Sequence, residues 1–555
     1  MAWSMPKSLA LAAVAVAAGA ADDRSRILAS LGGSTGMRVS SDLIGFSHET
    51  LGARVMLSED GAEQLGMGRQ PRRAQLELLR NLARAPGASV NVRLGGNSAD
   101  QSCFEYTLPA SSQCSENLTF ADVDGVRLFV DSARREYALN VTFVFGTNLK
   151  AKNAARYGVP EVAALRRSGM LADGSVVGLE VGNEPDSYIQ HPQLGMNFFP
   201  SYHKEFVDYL LSYAEAGLPR GGVQAGAFAS AIRKDWDNTI NVRSLLQGNG
   251  SEFIGRLSMH NYPTSTCKPH WIERWGFVTR ASMAALLSRA ATRGAAEQFE
   301  PLVRVAKDHH RDFVLGEAGS CSCGGLRNVS DVFTAALWSL DYLSEMSKIG
   351  VRTVNFHGGP RGAYAAVRYN STRAEPYGGP PAVLPLYYGL WMHSDFARPG
   401  DEWLQLDADF RGKWPKRPNS AVHAVRGFDG SLRILVIAKE VSDARRDIEV
   451  SITIPAAMAP VRLRCSALRL TAPWTVAVPS YNQSRGISYA GQTYDGAGVD
   501  GKPLGARHRE QCLVEPDGGS SVLLGPVNVS VASAVLFLLE SHAEHDALPG
   551  GAVVI

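Results

Sequence analysis

Two glutamates, Glu184 and Glu317, each stand shortly after an apolar segment and among residues that favour a turn. Their settings are Gly-Asn-Glu-Pro at 182–185 and Gly-Glu-Ala-Gly at 316–319. Two carboxyl groups that face one pocket can hydrolyse a glycosidic bond, because one protonates the leaving oxygen while the other attacks the anomeric carbon. We interpret Glu184 and Glu317 as candidate catalytic residues; the alternative is that each is an ordinary exposed loop glutamate.

Polar residues also end most of the other apolar segments of the first 400 residues. They are His48, Glu49, Asn97, His260, Tyr262 and His357, and Tyr364 follows shortly after the last segment. Such residues are costly in a core but expected at the rim of a site. We take Tyr364 as a candidate for contact with a substrate, whereas His260 and His357 could equally be buried histidines with satisfied hydrogen bonds.

The elements that must position these residues follow from the hydrophobic pattern. Eight apolar segments lie at 43–47, 89–94, 141–145, 176–181, 223–228, 257–260, 313–315 and 353–356. Stretches with apolar residues at helical spacing separate them. Eight strands that alternate with helices predict an α/β fold, a (β/α)8 TIM barrel, in which the polar strand ends meet at one face. An open, doubly wound sheet is the alternative.

The pattern changes near residue 396. Beyond it, apolar and polar residues alternate at 421–426, 432–438, 448–454 and 531–539, with Asp-Gly turns at 429–430, 495–496 and 517–518. This pattern predicts a C-terminal antiparallel β-sandwich domain. The expected organisation is a signal peptide at 1–21, a catalytic barrel at 22–396 and a β-sandwich at 397–555, to which residues 24–40 could add a strand.

The first residues of the sequence indicate export. Lys7 precedes an apolar run at 9–18, and small residues follow it. The run is too short to span a bilayer and is typical of a secretory signal peptide that is cleaved near Ala20 or Ala21. We therefore expect a secreted, extracellular protein.

Sequons and cysteines agree with that expectation. Seven sequons occur, at Asn117, Asn140, Asn249, Asn328, Asn370, Asn482 and Asn528, so we expect a glycoprotein. Of the seven cysteines, Cys103 could pair with Cys114, and Cys465 with Cys512. Cys267 could pair with either Cys321 or Cys323, which would leave one thiol free.

Composition excludes several classes of partner. The chain has 555 residues, 56 Lys and Arg against 54 Asp and Glu, and 45% hydrophobic residues. This composition is too apolar for a disordered chain, and without a run of like charges we expect no nucleic-acid partner and no membrane partner. The Cys-X-Cys at 321–323 lacks the spacing of a zinc site, so we expect no metal. Nothing in the sequence indicates an oligomeric state.

The run Gly-Leu-Glu-Val-Gly-Asn-Glu-Pro at 178–185 resembles the acid/base strand of clan A glycoside hydrolases. Arg-Leu-Gly-Gly-Asn at 93–97, Glu180 and Gly-Glu-Ala-Gly-Ser at 316–320 narrow the resemblance to glycoside hydrolase family 79, which holds β-glucuronidases and heparanase. The resemblance extends from the first barrel strand to the C-terminal β domain. Asn-Glu-Pro is specific to the clan rather than to the family.

The resemblance implies roles for the residues that match the motifs. Glu184 would be the general acid/base and Glu317 the nucleophile. Asn183 would hydrogen-bond the 2-hydroxyl of the sugar, a contact that strengthens in the transition state. Tyr262 matches the tyrosine that orients the nucleophile.

The resemblance also implies contacts with the rest of a terminal uronic acid. Glu49 and Asn97 match positions that hold sugar hydroxyls, and Ser322, Gly324 and Gly358 match positions around the carboxylate. Many members have tyrosine where this chain has Ser322. A serine hydroxyl remains, and backbone N–H groups beside glycines can approach an anion closely.

The predicted function is that of a retaining β-glucuronidase that removes terminal glucuronic acid, or its 4-O-methyl form, from glycans or glycosides. No metal or organic cofactor is needed, and we expect a carboxyl separation of ~5–5.5 Å rather than the ~6.5–9.5 Å of inverting enzymes. The alternatives are an endo-acting, heparanase-like enzyme, another clan A glycosidase, and a non-catalytic glycan-binding protein on a degenerate barrel.

A serine hydrolase is a further alternative. Gly-Gly-Ser-Thr-Gly at 32–36 matches the esterase elbow by letter, but no strong strand pattern leads into it. We expect Ser34 to lie in a loop and to have no catalytic role.

Overall fold

The computed structural model describes most of the chain between residues 25 and 541. The described ranges are 25–50, 52–58, 71–105, 114–196, 198–230, 232–233, 236–267, 279–359, 362–369, 381–411, 419–442, 444, 446–459, 463–475, 478–517 and 520–541. The predicted signal peptide and the sequon at Asn370 lie outside them. No helix in these ranges is both long enough and apolar enough to cross a membrane.

Eight parallel strands form a closed barrel. They are Ile44–Glu49, Ser89–Gly95, Asn140–Thr147, Val176–Val181, Val223–Phe228, Ile254–Asn261, Asp312–Ala318 and Thr353–Gly358. Each strand pairs with its neighbour in the sequence, and the eighth pairs with the first. The predicted TIM barrel is therefore confirmed. Six of the eight strands extend beyond the apolar segments that predicted them, and the added residues include polar ones at the rim such as Glu49, Glu317 and His357.

Helices connect the barrel strands. The α-helices are Gly52–Leu57, Arg73–Leu82, Phe120–Tyr137, Ala154–Tyr157, Val159–Arg167, Phe199–Glu215, Asn238–Gln247, Met283–Leu286, Arg293–Asp308, Phe333–Ile349 and Pro385–Phe396. The 3-10 helices are Ala99–Gln101, Pro185–Gln190, Pro192–Leu194, Ser251–Phe253, Arg289–Ala291 and Ser480–Asn482. Phe333–Ile349 is buried on nearly all sides because it lies between the barrel and the C-terminal domain.

The C-terminal domain is an eleven-stranded sheet in the part of the chain that the structure describes. Its strands are Ser25–Arg38, Glu402–Arg411, Ser420–Arg426, Leu432–Ala438, Asp447–Pro455, Leu463–Thr471, Ser488–Tyr489, Glu510–Gln511, Val514–Pro516, Ser521–Ser530 and Ser533–Ser541. Apolar side chains from both halves of the sheet, such as Ile434 and Ile452, share one buried cluster. The sheet therefore folds over this cluster as the predicted β-sandwich.

The N-terminal strand Ser25–Arg38 belongs to this domain. It pairs in antiparallel with Glu402–Arg411 and in parallel with Asp447–Pro455. The prediction that Ser34 lies in a loop is wrong, since Ser34 is opposite Leu404 in the ladder and its hydroxyl hydrogen-bonds Glu402. Register shifts on both sides of Ser34 explain why the alternating pattern was not visible in the sequence.

Short strands form small ribbons outside the barrel and the sheet. They are Ser102–Phe104, Glu116–Leu118, Ile232–Arg233, Trp236–Asp237, Thr264–Ser265, Thr279–Arg280, Cys321–Ser322, Val367–Tyr369 and Pro381–Val383. One of them matters for the site: Thr264–Ser265 pairs with Cys321–Ser322 and so joins the loops that follow the sixth and seventh barrel strands.

Three disulfides tie the described residues together. Cys103 pairs with Cys114, Cys267 with Cys323, and Cys465 with Cys512. The sequence allowed all three pairings. Of the two cysteines of Cys-X-Cys, Cys323 is the one that pairs with Cys267. Within the described residues, Cys321 is the buried free thiol.

A buried ionic cluster joins the barrel to the sheet domain. Asp341, on the helix Phe333–Ile349, accepts hydrogen bonds from Lys439 Nζ at 2.5 Å and pairs with His423 Nε2 at 2.8 Å. Burial alone would raise the pKa of Asp341, but Lys439 and His423 outweigh it and hold the pKa far below its usual range. The two domains are therefore joined by charge as well as by apolar packing.

Glu161 gives the barrel a pH-dependent stability that can be measured. Its carboxyl is buried, accepts one hydrogen bond from Thr147 at 2.7 Å, and burial raises its pKa from 4.5 to about 8. The pKa of Glu161 is higher in the folded protein than in the unfolded chain, so the carboxyl costs no stability below pH ~4.5, where it is protonated in both states. The folded protein loses stability as the pH rises from there to about 8. Glu161→Gln should therefore gain stability relative to the wild type between pH 5 and pH 9, measured by urea unfolding. A difference that stays constant over this range would contradict the prediction.

Candidate active site

A cavity of about 580 Å³ opens at the carboxyl ends of the barrel strands. Nine of the ten predicted site residues line it: Glu49, Asn97, Asn183, Glu184, Tyr262, Glu317, Ser322, Gly324 and Tyr364. Gly358 does not line it. Gly358 is buried instead, its carbonyl accepts a hydrogen bond from His48 Nδ1 at 3.2 Å, and a side chain there would contact Ala365.

The two candidate catalytic carboxyls face each other in this cavity. One oxygen of Glu184, one oxygen of Glu317 and a ring nitrogen of His260 all lie within 4.8 Å of one another. His260 Nδ1 is 3.0 Å from Glu184 Oε1 and 3.9 Å from Glu317 Oε2. His260 is therefore a buried histidine that also lines the cavity and contacts both carboxyls.

Glu317 is surrounded by groups that favour its ionised form. Tyr262 donates to Glu317 Oε1 at 2.7 Å and Arg93 Nη1 donates to Oε2 at 2.9 Å. Burial opposes ionisation, but the charges of His357, His260 and Arg93 and the Tyr262 hydroxyl outweigh it and hold the pKa of Glu317 well below its usual range. Glu317 is thus a carboxylate at neutral pH, as a nucleophile must be.

Arg93 connects Glu317 to the rest of the cavity floor. Its side chain is fully buried, and it donates from Nε to Glu180 at 2.6 Å, from Nη1 to Ser47 at 3.0 Å and from Nη2 to Asn183 Oδ1 at 2.9 Å. The amide nitrogen of Asn183 then donates to Asn97 Oδ1 at 3.2 Å. One guanidinium therefore orients both the candidate nucleophile and the amide that the resemblance assigns to the sugar 2-hydroxyl.

Glu49 and His357 form a second charged pair in the cavity. His357 Nε2 is 3.7 Å from Glu49 Oε1, and the backbone N–H of Ser98 donates to Oε2 at 2.8 Å. Burial opposes both charges, yet the pairing with His357 lowers the pKa of Glu49, while Glu317 and Glu49 raise the pKa of His357. Gly96 has a φ of 71°, and a Cβ there would lie 2.7 Å from the Glu49 carboxylate, so a glycine is required.

Glu184 occupies a turn at the end of the fourth barrel strand. Its φ of 47° lies in the left-handed region, which is unusual for a residue other than glycine. Its N–H donates to the carbonyl of Ala227, at the end of the fifth strand, at 3.0 Å, and the 3-10 helix Pro185–Gln190 follows at once. A strained conformation held in this way is common where a side chain must be presented to a site.

The side of the cavity near Ser322 differs from the expectation. The Ser322 hydroxyl donates to Ser265 Oγ at 2.7 Å, so it is engaged within the protein. The disulfide Cys267–Cys323 fixes the two loops beside it. Tyr364 also lines the cavity, with its ring centroid 6.0 Å from that of Tyr262.

Two clusters in the described residues have the donor set of a cation site. They are Glu184, His260 and Glu317 in the cavity, and Asp341, Glu345 and His423 at the domain interface. Each cluster already contacts cationic side chains of the protein, Arg93 in the first and Lys439 in the second. These charges compete with a metal ion for the same oxygens.

Some residues at the cavity were not predicted as site residues from the sequence. Arg93, which is buried beneath the cavity, entered only as part of a motif. Lys150, Ser187, His191 and Gln298 line the cavity. An arginine inside an apolar strand is a signal that could have identified Arg93, because a buried guanidinium needs carboxylate partners. The other four lie in loops or on a helix, where no periodic pattern marks them.

The chain is similar in sequence to two curated proteins. No family model matches the chain. A protein of Aspergillus niger named beta-glucuronidase is 23% identical over 454 residues, which are 77% of this chain and 80% of the relative. A beta-glucuronidase of Neurospora crassa is 23% identical over 359 residues, 60% of this chain and 61% of the relative.

Solved structures share the fold. A 4-O-α-L-rhamnosyl-β-D-glucuronidase from Fusarium oxysporum superposes with a TM-score of 0.67 at 19% identity, covering 92% of this chain and 99% of that protein. A bacterial orthologue of human α-L-iduronidase gives 0.56 at 12% identity, covering 94% of this chain and 85% of that protein. The TIM barrel with a C-terminal β-sandwich is confirmed.

The two sequence relatives agree with the resemblance that the motifs predicted, and they support the class of the chain, which is a glycoside hydrolase. Within that class, the two sequence relatives described above are both fungal proteins named beta-glucuronidase.

The hydrogen bond from Tyr262 to Glu317 can be tested by Tyr262→Phe. Loss of a hydrogen bond to a charged group costs ~1.5–3 kcal/mol, so kcat should fall about 10- to 100-fold. Tyr209→Phe is the matched control, because the Tyr209 hydroxyl is buried but donates to the carbonyls of Asn148 and Lys152. Steady-state kinetics should show a loss for Tyr262→Phe only; equal losses in both variants would contradict a specific role for Tyr262.

Proposed function

We propose that this protein is a secreted, retaining β-glucuronidase that removes a terminal glucuronic acid, or its 4-O-methyl form, from a glycan or glycoside. The observation that carries the proposal is the pair Glu184 and Glu317, whose oxygens approach within 4.8 Å in one cavity while the surroundings of Glu317 hold it ionised. The names of the two fungal relatives support a glucuronide as the substrate.

In the first step, Glu317 attacks the anomeric carbon while Glu184 protonates the glycosidic oxygen, and the leaving group departs. A covalent glycosyl ester on Glu317 results. In the second step, Glu184, now a carboxylate, takes a proton from water, and the water oxygen displaces Glu317. Tyr262 and Arg93 favour the return of Glu317 to its ionised state, because both donate hydrogen bonds to that carboxylate.

The short approach between the two carboxyls supports retention of configuration. An inverting enzyme needs ~6.5–9.5 Å between the carboxyl groups to hold a water molecule, whereas direct attack needs ~5–5.5 Å. Two oxygens within 4.8 Å of each other fit the shorter separation better than the longer one.

The sugar carboxylate is proposed to lie on the side of the cavity formed by Tyr364 and Gly324. The Tyr364 hydroxyl and the backbone N–H beside Gly324 are groups there that can donate to an anion. Ser322 is not part of this proposal, because its hydroxyl donates to Ser265. Three disulfides support the secreted location, since disulfides form in oxidising compartments.

A panel of 4-nitrophenyl β-glycosides tests the substrate. The wild type should hydrolyse the glucuronide and be at least ~100-fold less active on the glucoside and the galactoside, because only the uronate offers a carboxylate to the Tyr364 side. Glu317→Gln should lower kcat on the glucuronide at least ~10⁴-fold, since no covalent step is then possible.

Glu300→Gln is the matched control for this panel. Glu300 is an exposed glutamate on the helix Arg293–Asp308 that pairs with Arg304, so its loss should leave kcat unchanged. Faster turnover of the glucoside than of the glucuronide would exclude uronate specificity. A well-folded wild type that cleaves no member of the panel would favour a non-catalytic glycan-binding protein.

The stereochemistry can be followed directly. Proton NMR of the glucuronide reaction should show the β-anomer of the free sugar first, with the α-anomer appearing later by mutarotation. Initial appearance of the α-anomer would mean inversion and would remove the nucleophilic role of Glu317.

A further inference from the structure

A further buried glutamate, Glu180, lies beneath the catalytic pair. Glu180 is part of the fourth barrel strand Val176–Val181, and only 1% of its side chain is exposed. Its carboxylate accepts hydrogen bonds from Arg93 Nε at 2.6 Å, Gln224 Nε2 at 2.6 Å and Ser258 Oγ at 3.0 Å. Glu180 does not line the cavity, so it does not contact a substrate.

Arg93 is shared between this carboxylate and Glu317. Nε donates to Glu180, and Nη1 donates to Glu317. Nη2 lies 2.5 Å from Glu180 Oε1 and donates to Asn183 Oδ1. The guanidinium is planar and its donors have a fixed arrangement. A shift of Arg93 toward one partner therefore withdraws it from the others.

We infer that Glu180 is a positioning residue, whose negative charge holds Arg93 where it serves both Glu317 and Asn183. The inference rests on the proposed function in taking Glu317 as the nucleophile and Asn183 as the contact for the sugar 2-hydroxyl. Without the charge of Glu180, Glu317 is the one carboxylate that remains beside the guanidinium. Arg93 then moves toward Glu317, and Asn183 loses the partner that fixes its amide.

This role separates two kinds of substrate. A sugar that has its 2-hydroxyl depends on the orientation of Asn183, whereas a 2-deoxy sugar does not. If the orientation of Asn183 is disturbed, hydrolysis of the parent sugar should therefore slow more than hydrolysis of its 2-deoxy analogue. A role confined to folding would lower the amount of active protein and so reduce activity on both substrates by the same factor.

The kinetic test compares Glu180→Gln with Glu161→Gln on the 4-nitrophenyl glycoside that the wild type cleaves best and on its 2-deoxy analogue. Misplacement by ~1 Å can cost about 100-fold, so kcat of Glu180→Gln should fall about 100-fold on the parent and no more than about 10-fold on the analogue. Glu161 is the matched control, a buried barrel glutamate whose partner is Thr147. Glu161→Gln should stay within about twofold of the wild type on both substrates.

A crystal structure of Glu180→Gln supplies a readout that needs no activity. Loss of the contact between Arg93 and Asn183, with Arg93 closer to Glu317, is the expected result. Arg93 in its wild-type position, or equal losses on the two substrates, would overturn the inference. If the wild type cleaves no glycoside, the proposed function fails, while the position of Arg93 in this variant still decides what Glu180 does.

Discussion

The site depends on one buried cation between two carboxylates. Arg93 has no exposed side-chain surface, and an uncompensated guanidinium in such a place would be strongly destabilising. It is compensated only because the barrel closes, since Arg93 comes from the second strand, Glu180 from the fourth and Glu317 from the seventh. The charges of the cavity floor and the closure of the barrel are therefore mutually dependent.

The same arrangement distinguishes the two candidate catalytic carboxyls. Glu317 lies deeper, with Arg93 and Tyr262 donating to its two oxygens, so it is stabilised as an anion. Glu184 stands on a turn, is more exposed than Glu317, and has His260 as its hydrogen-bond partner. Two residues of one type thus have different surroundings, and such a difference is what allows a pair of carboxyls to divide the roles of acid and nucleophile.

The sequence predicted the barrel because its eight strands are apolar runs, and it predicted the rim because polar residues end those runs. It could not predict that the Ser322 hydroxyl donates to Ser265, since that contact joins residues 57 positions apart on different loops. The same limit applies to Gly358, which is assigned by resemblance but lies outside the cavity. The prediction for Ser34 was wrong for another reason. Register shifts on both sides of Ser34 interrupt the alternation of apolar and polar residues in its strand.

A polar floor of this kind is stable only when every member has a partner. Ser258 and Gln224 complete the coordination of Glu180, and Ser47 joins Arg93 to His357. Unpaired polar groups are costly inside a barrel, so these hydrogen bonds contribute to the stability of the floor. Groups that are paired in this way are held rigidly, so their dipoles are already oriented before a substrate arrives, and little reorganisation remains for the transition state. The features that make the barrel interior stable are therefore those that would make the site an efficient catalyst.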